Sequence, residues 1–346
     1  MSDHSDLSEA FLQAVANARA DGQRLSIVGS GSKSALTGDA NSAEARLLST
    51  VEHRGIVDYR PDELVVTVRT GTPLRELNQT LAREGQMLGC EPPEFRGLGT
   101  VGGAVAAGLA GPGRVWRGGV RDSVLGVEMI NGQAERLRFG GQVMKNVAGF
   151  DISRLQAGAF GMLGLLLEVS LKVLPQPQTE QTLCLELSAD EAHEKMLKWA
   201  LAPHPITATA WLDGVLRVRL SGAEAAVNQT AAEFGGELQP DNDFWPALRD
   251  HSLPFFRTGA ISCRYLPPAA PLLAEDGLVE WNGARRWSTA EAVADGYRIF
   301  AEGYGRYRCR DGGGDAVLAD YQARIKTAFD PDNLFNPELT DADLAA

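Results

Sequence analysis

Apolar residues recur along the chain at two different spacings, which predict both helices and strands. Between residues 5 and 20 they return every three or four positions, a spacing that places them on one face of a helix. Short β-branched runs at Leu25–Val28 and Leu64–Thr70 predict strands instead. A helix is expected after the second strand, with Thr72 as its N-cap and Gly85 at its end. This part of the chain is therefore expected to mix α and β structure.

The second half of the chain shows a regular order of strands and helices. The same spacings predict strands at Thr182–Leu187, Ile206–Leu212 and Val215–Leu220, and helices at Asp190–Leu201 and Ala223–Phe234. The order strand, helix, strand, strand, helix is typical of a ferredoxin-like unit.

The segment Pro175-Gln176-Pro177 separates these two regions, because its prolines fix an extended linker. We therefore expect one domain over residues 1–174 and an α+β cap domain over residues 178–315. Residues 316–346 are expected to form a C-terminal helix and tail that return to the first domain.

Glycines crowd one stretch of the first domain, from Gly97 to Gly164. These 68 residues hold 17 of the chain's 38 glycines. Fixing a glycine costs backbone entropy, so the crowding indicates tight turns or a ligand lying against bare backbone. Phosphate is the natural ligand, because main-chain N–H groups reach its oxygens only where no side chain intervenes. Close helix packing is the alternative. Within the stretch, Asn131-Gly132 predicts a hairpin turn with positive φ angles.

A second candidate for phosphate binding follows the first predicted strand. This loop consists of Gly29, Ser30, Gly31, Ser32 and Lys33. Glycines, hydroxyls and a lysine are the groups that cradle a phosphate. The loop is not a Walker A motif, because Ser32 and not glycine precedes the lysine. Taken alone, it is equally consistent with an ordinary turn.

Composition and charge limit the partners of the chain. Of its 346 residues 44% are apolar, and its net charge of −12 opposes binding to nucleic acid or to an anionic membrane. No apolar run approaches the roughly 20 residues that cross a bilayer. Residues 1–10 lack the basic start and apolar core of a signal peptide, so we expect a cytoplasmic protein. The four cysteines are too far apart to indicate a metal cluster, and buried reduced thiols are the simpler interpretation.

Four motifs follow one another in a fixed order along the chain. They are the loop Gly29–Lys33, T-V-G-G-A-V-A at Thr100–Ala106, G-M-L-G-L at Gly161–Leu165 and D-P-D-N-L-F-N-P at Asp330–Pro337. Together they resemble the FAD-binding domain of the PCMH, or vanillyl-alcohol-oxidase, family. The resemblance implies an α+β fold in which FAD lies between two α+β subdomains, followed by a ferredoxin-like cap and a C-terminal return segment.

Three further segments are similar to the FAD-binding subunits of bacterial glycolate oxidases within that family. They lie at Gly111–Gly126, at Gly140–Asp151 (G-G-Q-V-M-K-N-V-A-G-F-D) and at Trp281–Trp287 (W-N-G-A-R-R-W). The resemblance spans nearly the whole chain. It implies a subunit that oxidises a small 2-hydroxy acid, glycolate, to glyoxylate together with a second flavoprotein subunit and an iron–sulfur subunit. Any attachment to the inner membrane would then go through those partners.

The same resemblance assigns residues to the FAD. Backbone amides of two loops would hold its pyrophosphate: Gly29, Ser30, Gly31, Ser32, Lys33, Gly99, Thr100, Gly102 and Gly103. Other residues would lie along the adenosine or flavin ring, or reach the flavin, its entrance or a phosphate: Gly158, Gly161, Leu165, Lys145, Asn146 and Arg117. Because Gly102 would face the phosphate, a valine there is expected to abolish FAD retention. Lys145 as a solvated lysine and Arg117 as a surface arginine are the alternatives.

Two departures from the family pattern bear on mechanism. Relatives attach flavin covalently through a histidine in the first loop or beside Thr100, and none stands there, so we expect non-covalent FAD. No catalytic base can be named, because a single histidine of the cap such as His251 is more often structural. A self-sufficient FAD-dependent oxidoreductase and a non-catalytic assembly subunit therefore stay open as alternatives.

Overall fold

The computed structural model describes residues 6–33, 45–142, 151–239, 243–257, 260–289, 297–300 and 316–336. Its helices are α1 Ser8–Ala20, α2 Leu74–Arg83, α3 Val101–Ala107, α4 Arg114–Arg117, α5 Val120–Ser123, α6 Ile152–Leu155, α7 Ala189–Trp199, α8 Glu224–Phe234, α9 Phe244–Arg249 and α10 Ala316–Phe329. Its strands are β1 Leu25–Val28, β2 Arg46–Ser49, β3 Ile56–Arg60, β4 Val65–Arg69, β5 Gln86–Met87, β6 Val124–Ile130, β7 Arg136–Gly140, β8 Leu165–Lys172, β9 Leu174–Pro175, β10 Thr179–Glu186, β11 Ile206–Leu212, β12 Val215–Gly222, β13 Glu237–Gln239, β14 Ala260–Tyr265, β15 Asp276–Glu280, β16 Arg285–Ser288 and β17 Tyr297–Phe300.

The first part of the chain is built on an antiparallel sheet with strand order β3-β4-β8-β6-β7. Leucines of α2 and small residues of α3 pack against apolar side chains of this sheet in one core. A separate parallel pair, β1 and β2, shares a second core with α1 and with the ends of β6 and β8. The predicted strand at Leu25–Val28 is confirmed, and it leads directly into the candidate loop at Gly29.

The cap, by which we mean helices α7–α9 and their sheet, begins as a ferredoxin-like unit. Its first four strands lie in the order β13-β10-β12-β11, all antiparallel, with α7 and α8 as the two crossover helices. This confirms the order of elements predicted from the sequence. The sheet then continues through β15, β16, β14 and β17 to eight strands.

The C-terminal segment returns to β1. Phe335 forms a parallel bridge with Leu25 and is fully buried. The carboxylate of Asp330 accepts backbone hydrogen bonds from Leu334 and Phe335 and pairs with Lys326 of α10. The tail is therefore fixed to the strand that leads into the candidate phosphate loop.

Two local predictions were wrong. Thr72 does not cap α2; Pro73 holds that position, and the Thr72 hydroxyl accepts the Gly55 N–H at 2.8 Å. The turn at Asn131-Gly132 places its positive φ of 58° at Ala134. Gly132 is needed for packing, since a Cβ there would collide with the buried carboxylate of Asp330.

Within the described part of the chain, none of the helices combines the length and apolar character needed to cross a membrane.

Candidate functional site

The two predicted phosphate loops lie against each other. A Cβ atom placed on Gly29 would come within 2.5 Å of the Thr100 hydroxyl oxygen, so only glycine permits this approach. Thr100 in turn caps α3 by accepting the Gly103 N–H at 3.2 Å. The structure thus joins the end of β1 to the start of α3, although 66 residues separate Lys33 from Gly99 in the sequence.

Lys33 reaches into this junction with a buried charge. Its Nζ atom is inaccessible to solvent and has no hydrogen-bond partner within the described structure. The ammonium lies 5.2 Å from the centre of the Phe95 ring, and a Cβ placed on Gly103 would stand 3.8 Å from it. Burial lowers the pKa of Lys33 to about 8, and the negative charge of Asp250 opposes that shift. An unpaired ammonium beside exposed backbone is the environment that fits a diphosphate group.

The three glycines of the second loop, Gly99, Gly102 and Gly103, face different neighbours. A Cβ on Gly102 would lie 2.7 Å from the Cβ of Thr70 and 3.0 Å from its carbonyl oxygen. Gly102 therefore allows α3 to pack on the end of β4, and its N–H donates to the Thr70 carbonyl at 2.8 Å, so a valine there would first disturb this packing. The contact of Gly102 with FAD stays a prediction. Gly99 faces Leu74 and the carbonyl of Pro93. Gly103 faces Lys33, so it is the glycine of this loop whose bare backbone lies beside the charge.

The turn that leads into the third motif contacts the C-terminal half of α3. The N–H of Gly158 donates to the carbonyl of Val105 at 3.0 Å, and Gly158 has open space where a Cβ would stand. Gly161 instead packs on the Asn336 side chain, at 2.8 Å from a Cβ. Leu165 is fully buried in the core with β1 and pairs with Ile130 of β6, so its contact with a ligand stays a prediction.

Asn336 ties these parts together. Its Oδ1 accepts the N–H of Ile27 at 2.7 Å, and its Nδ2 donates to the carbonyl of Phe160 at 2.6 Å. The tail motif that the sequence linked to the family by resemblance thus fixes β1 against the Gly161 turn.

Two predicted positions, Lys145 and Asn146, lie outside the described residues. Arg117 lies on α4, where its guanidinium pairs with Glu91 at 2.7 Å and donates to Ser221 at 2.7 Å. Burial and the charge of Arg219 lower the pKa of Arg117. The structure therefore gives Arg117 a partner at the junction with the cap, and any contact with a phosphate stays a prediction.

The acidic residues beside the loops were not predicted from the sequence. Glu91, Glu94 and Asp250 hold together the segment that precedes Gly99, as described below. The only signal was the Glu91-Pro92-Pro93 run, which the chain's pattern marks as a strand break. Glu91 and Glu94 flank two prolines, and this short run has no helical or strand periodicity. Their ion pairs with distant residues of the cap therefore could not be predicted from it.

Each of the four described histidines is held in packing or hydrogen bonds. His53 accepts the Leu7 N–H through Nδ1 and is fully buried. His193 contacts the Pro268 carbonyl, and His204 lies near Glu233. Burial lowers the pKa of His251 to about 3, and its ring packs against Phe95, Phe256 and Trp287.

Comparison with known proteins assigns the chain to a family. A sequence model described as "FAD binding domain" matches residues 7–140. Over 349 aligned residues the chain is 42% identical to glycolate oxidase subunit GlcE of Escherichia coli (strain K12), covering 98% of this chain and 99% of that protein. It is 30% identical over 161 residues to glycolate oxidase subunit GlcD of Bacillus subtilis (strain 168), covering 46% of this chain and 34% of that protein.

Solved structures support the fold. A structure of alkyldihydroxyacetonephosphate synthase superposes with a TM-score of 0.66 at 13% identity, covering 96% of this chain and 74% of that one. The predicted PCMH-type FAD-binding fold is confirmed, and the cofactor of this fold is FAD. The chain therefore belongs to the family of glycolate oxidase subunit GlcE, among the FAD-dependent oxidoreductases.

Proposed function

We propose that this chain is the FAD-binding subunit of a glycolate oxidase, which oxidises glycolate to glyoxylate. The observation that carries the proposal is the match over 98% of the chain to a protein named as such a subunit. A full-length match supports the same role more strongly than a match confined to the FAD-binding half, which many oxidoreductases share.

The proposed cofactor site is the junction of the two loops. The backbone of Gly29–Lys33 would hold the FAD diphosphate, with the Lys33 ammonium and the Gly103 backbone beside it. In the second loop the N–H groups of Val101, Gly102 and Gly103 donate to Thr72, Thr70 and Thr100. This assignment is supported by the buried, unpaired charge of Lys33, which a diphosphate would neutralise. Bound FAD would supply redox chemistry to the complex, because its flavin ring can accept electrons and pass them on.

We propose that the substrate's proton is removed on a partner subunit. Oxidising a 2-hydroxy acid needs a base for the hydroxyl proton and a cation for the carboxylate. His251 contacts Phe95, which lies in the segment before the second loop, and its ring also packs on Phe256 and Trp287. A second flavoprotein subunit similar to GlcD, together with an iron–sulfur subunit, is the proposed source of the base and of the electron acceptor.

The test is to purify the chain alone and with its partner subunits, and to record the flavin spectrum before and after glycolate is added without oxygen. The proposal predicts that the lone chain carries FAD and keeps its absorbance near 450 nm, about where oxidised flavin absorbs. Bleaching should require a partner. Bleaching of the lone chain would instead identify a self-sufficient enzyme, and a folded but colourless chain would identify an assembly subunit.

A further inference from the structure

The segment Glu91–Gly97, which we call the bridge, has an unusual backbone. Four of its seven residues have positive φ: Glu91 at 46°, Phe95 at 43°, Arg96 at 60° and Gly97 at 76°. Three of these are not glycine, and such conformations cost on the order of 1–3 kcal/mol each unless surrounding contacts fix them. The bridge therefore needs partners that hold it in place.

The first residue of the bridge is held by two arginines. The Glu91 carboxylate pairs with Arg117 of α4 at 2.7 Å and with Arg219 of β12 at 2.7 Å, and accepts the Gly113 N–H at 2.8 Å. Arg219 is a cap residue with a buried side chain. One end of the bridge is thus fixed from the cap.

The middle of the bridge is held from the cap as well. The Asp250 carboxylate, which follows α9, accepts the N–H of Glu94 at 2.8 Å. Arg249 binds that same carboxylate through two hydrogen bonds of 2.9 and 3.0 Å and lies 3.5 Å from the Glu94 side chain. Asn78 of α2 donates to the Glu94 carboxylate at 2.8 Å.

The bridge leads directly into the proposed diphosphate site. The Glu94 carbonyl accepts the N–H of Gly99 at 2.8 Å, and the Gly99 carbonyl accepts the N–H of Leu74 at 2.8 Å. Phe95 lies under the Lys33 ammonium. Any shift of Glu94 therefore moves both the turn before Thr100 and the ring beneath Lys33.

We propose that Asp250 and Arg249 of the cap hold Glu94, and through it the turn before Thr100, in the position that binds the FAD diphosphate. Docking of the cap and binding of FAD therefore strengthen each other. This inference rests on the proposed FAD site at the two loops. By linkage, a cap contact that stabilises the binding-competent turn must itself be stabilised when FAD binds. Asp250 and Arg249 are positioning residues, since neither lies in the loops that would touch the cofactor.

The direction in which one substitution changes the affinity for FAD distinguishes positioning from simple electrostatics. The Asp250 charge lies close enough to influence Lys33, so by charge alone its removal should tighten binding of the anionic FAD diphosphate. Positioning predicts the opposite for Asp250→Ala, because the Glu94 N–H loses its acceptor. Asp250→Asn keeps an oxygen acceptor for the Glu94 N–H while it removes the charge and one of the two acceptors of Arg249, so it should bind FAD more tightly than Asp250→Ala does.

The experiment is a titration of the full-length apoprotein with FAD, followed by flavin fluorescence. We expect Asp250→Ala to raise the Kd about 10-fold, as losing a charge-assisted hydrogen bond typically does. The matched control is Asp276→Ala, which removes another buried cap carboxylate, the partner of Arg264, away from the bridge. It should lower the melting temperature and leave the Kd within about twofold.

The difference in hydrogen exchange with and without FAD gives a second readout, because loss of stability alone raises exchange in both states. In the unchanged protein, FAD should slow exchange in residues 94–99 and 247–251, and in Asp250→Ala the protection of 247–251 should be lost. If Asp250→Ala does not fold, Asp250→Leu provides the same test, because it also removes both the charge and the acceptor of the Glu94 N–H. A folded Asp250→Ala protein with unchanged or tighter FAD binding overturns the inference. Failure of the unchanged protein to bind FAD would instead overturn the proposed function.

Discussion

Replacing Lys33 with methionine tests the proposed diphosphate site, because methionine keeps most of the side-chain volume and removes the buried charge. Burial lowers the pKa of Lys33 from 10.5 to about 8. Each tenfold change in an acid dissociation constant is worth about 1.4 kcal/mol. Keeping Lys33 charged at pH 7 without FAD therefore costs the folded state at most about 3 kcal/mol. Lys33→Met should thus stabilise the apoprotein and weaken FAD binding.

The pH dependence follows from the direction of this shift. The folded apoprotein has the lower pKa, so the unfolded chain binds more protons between pH 8 and 10.5. The contribution of Lys33 to stability is unfavourable below pH 8 and is relieved as the pH rises through that window. A bound diphosphate favours the charged lysine, so FAD binding takes up a proton above pH 8. The Kd for FAD should then rise by up to about tenfold per pH unit.

The assay combines thermal denaturation of the apoprotein with FAD titrations from pH 6.5 to 9.5. At pH 7 Lys33→Met should bind FAD about 10- to 100-fold more weakly, as expected for one lost charged contact. In Lys33→Met the Kd for FAD should no longer increase as the pH is raised above 8. The control is Lys198→Met, which changes an exposed lysine of α7 and should alter neither property. A Lys33→Met protein with unchanged affinity and the same pH profile would refute the assignment of Lys33.

Three further predictions concern the glycines, the tail and the thiols. Gly103→Ala should weaken FAD binding, because its Cβ would lie 3.8 Å from the Lys33 Nζ atom and 3.1 Å from the Thr100 hydroxyl oxygen. Gly102→Val should lower the melting temperature more than Gly103→Ala does, because its Cβ would lie 2.7 Å from the Cβ of Thr70. A larger loss of melting temperature in Gly103→Ala would contradict this difference. Asn336→Ala leaves the Ile27 N–H and the Phe160 carbonyl without their partner. Unfolding by urea should therefore show that the free energy of unfolding falls by about 2–4 kcal/mol. A decrease below about 1 kcal/mol would argue against the link between the tail and β1. Burial raises the pKa of Cys90 to about 11. At pH 8 iodoacetamide should therefore not label this thiol in the native protein and should label it after unfolding. Rapid labelling of Cys90 in the native protein would contradict its burial.

Periodicity predicted the regular elements well, because their burial is local in sequence. The strands Ile206–Leu212 and Val215–Gly222 lie where alternation and an Asp-Gly turn placed them. The ferredoxin-like order followed from those elements without further information. The glycine-rich loops also lie together as the family resemblance implied, since Gly29 and Thr100 meet.

Periodicity could not predict which way each glycine faces or what the charged residues bind. Gly102 and Gly103 are adjacent in sequence, yet a Cβ on the first would meet Thr70 and a Cβ on the second would meet Thr100 and Lys33, because successive residues of a helix point in different directions. The contact between Glu94 and Asp250 joins positions 156 residues apart. Such pairs depend on how the cap docks, which no spacing along the chain encodes.

The central claim is that this chain by itself holds one FAD without a covalent bond. The most direct measurement is calorimetric titration of the folded lone chain with FAD, followed by acid precipitation and measurement of flavin in the supernatant. The proposed site predicts one FAD per chain, all of it released into the supernatant. A folded chain that binds no FAD, or flavin that stays with the precipitated protein, would contradict the account.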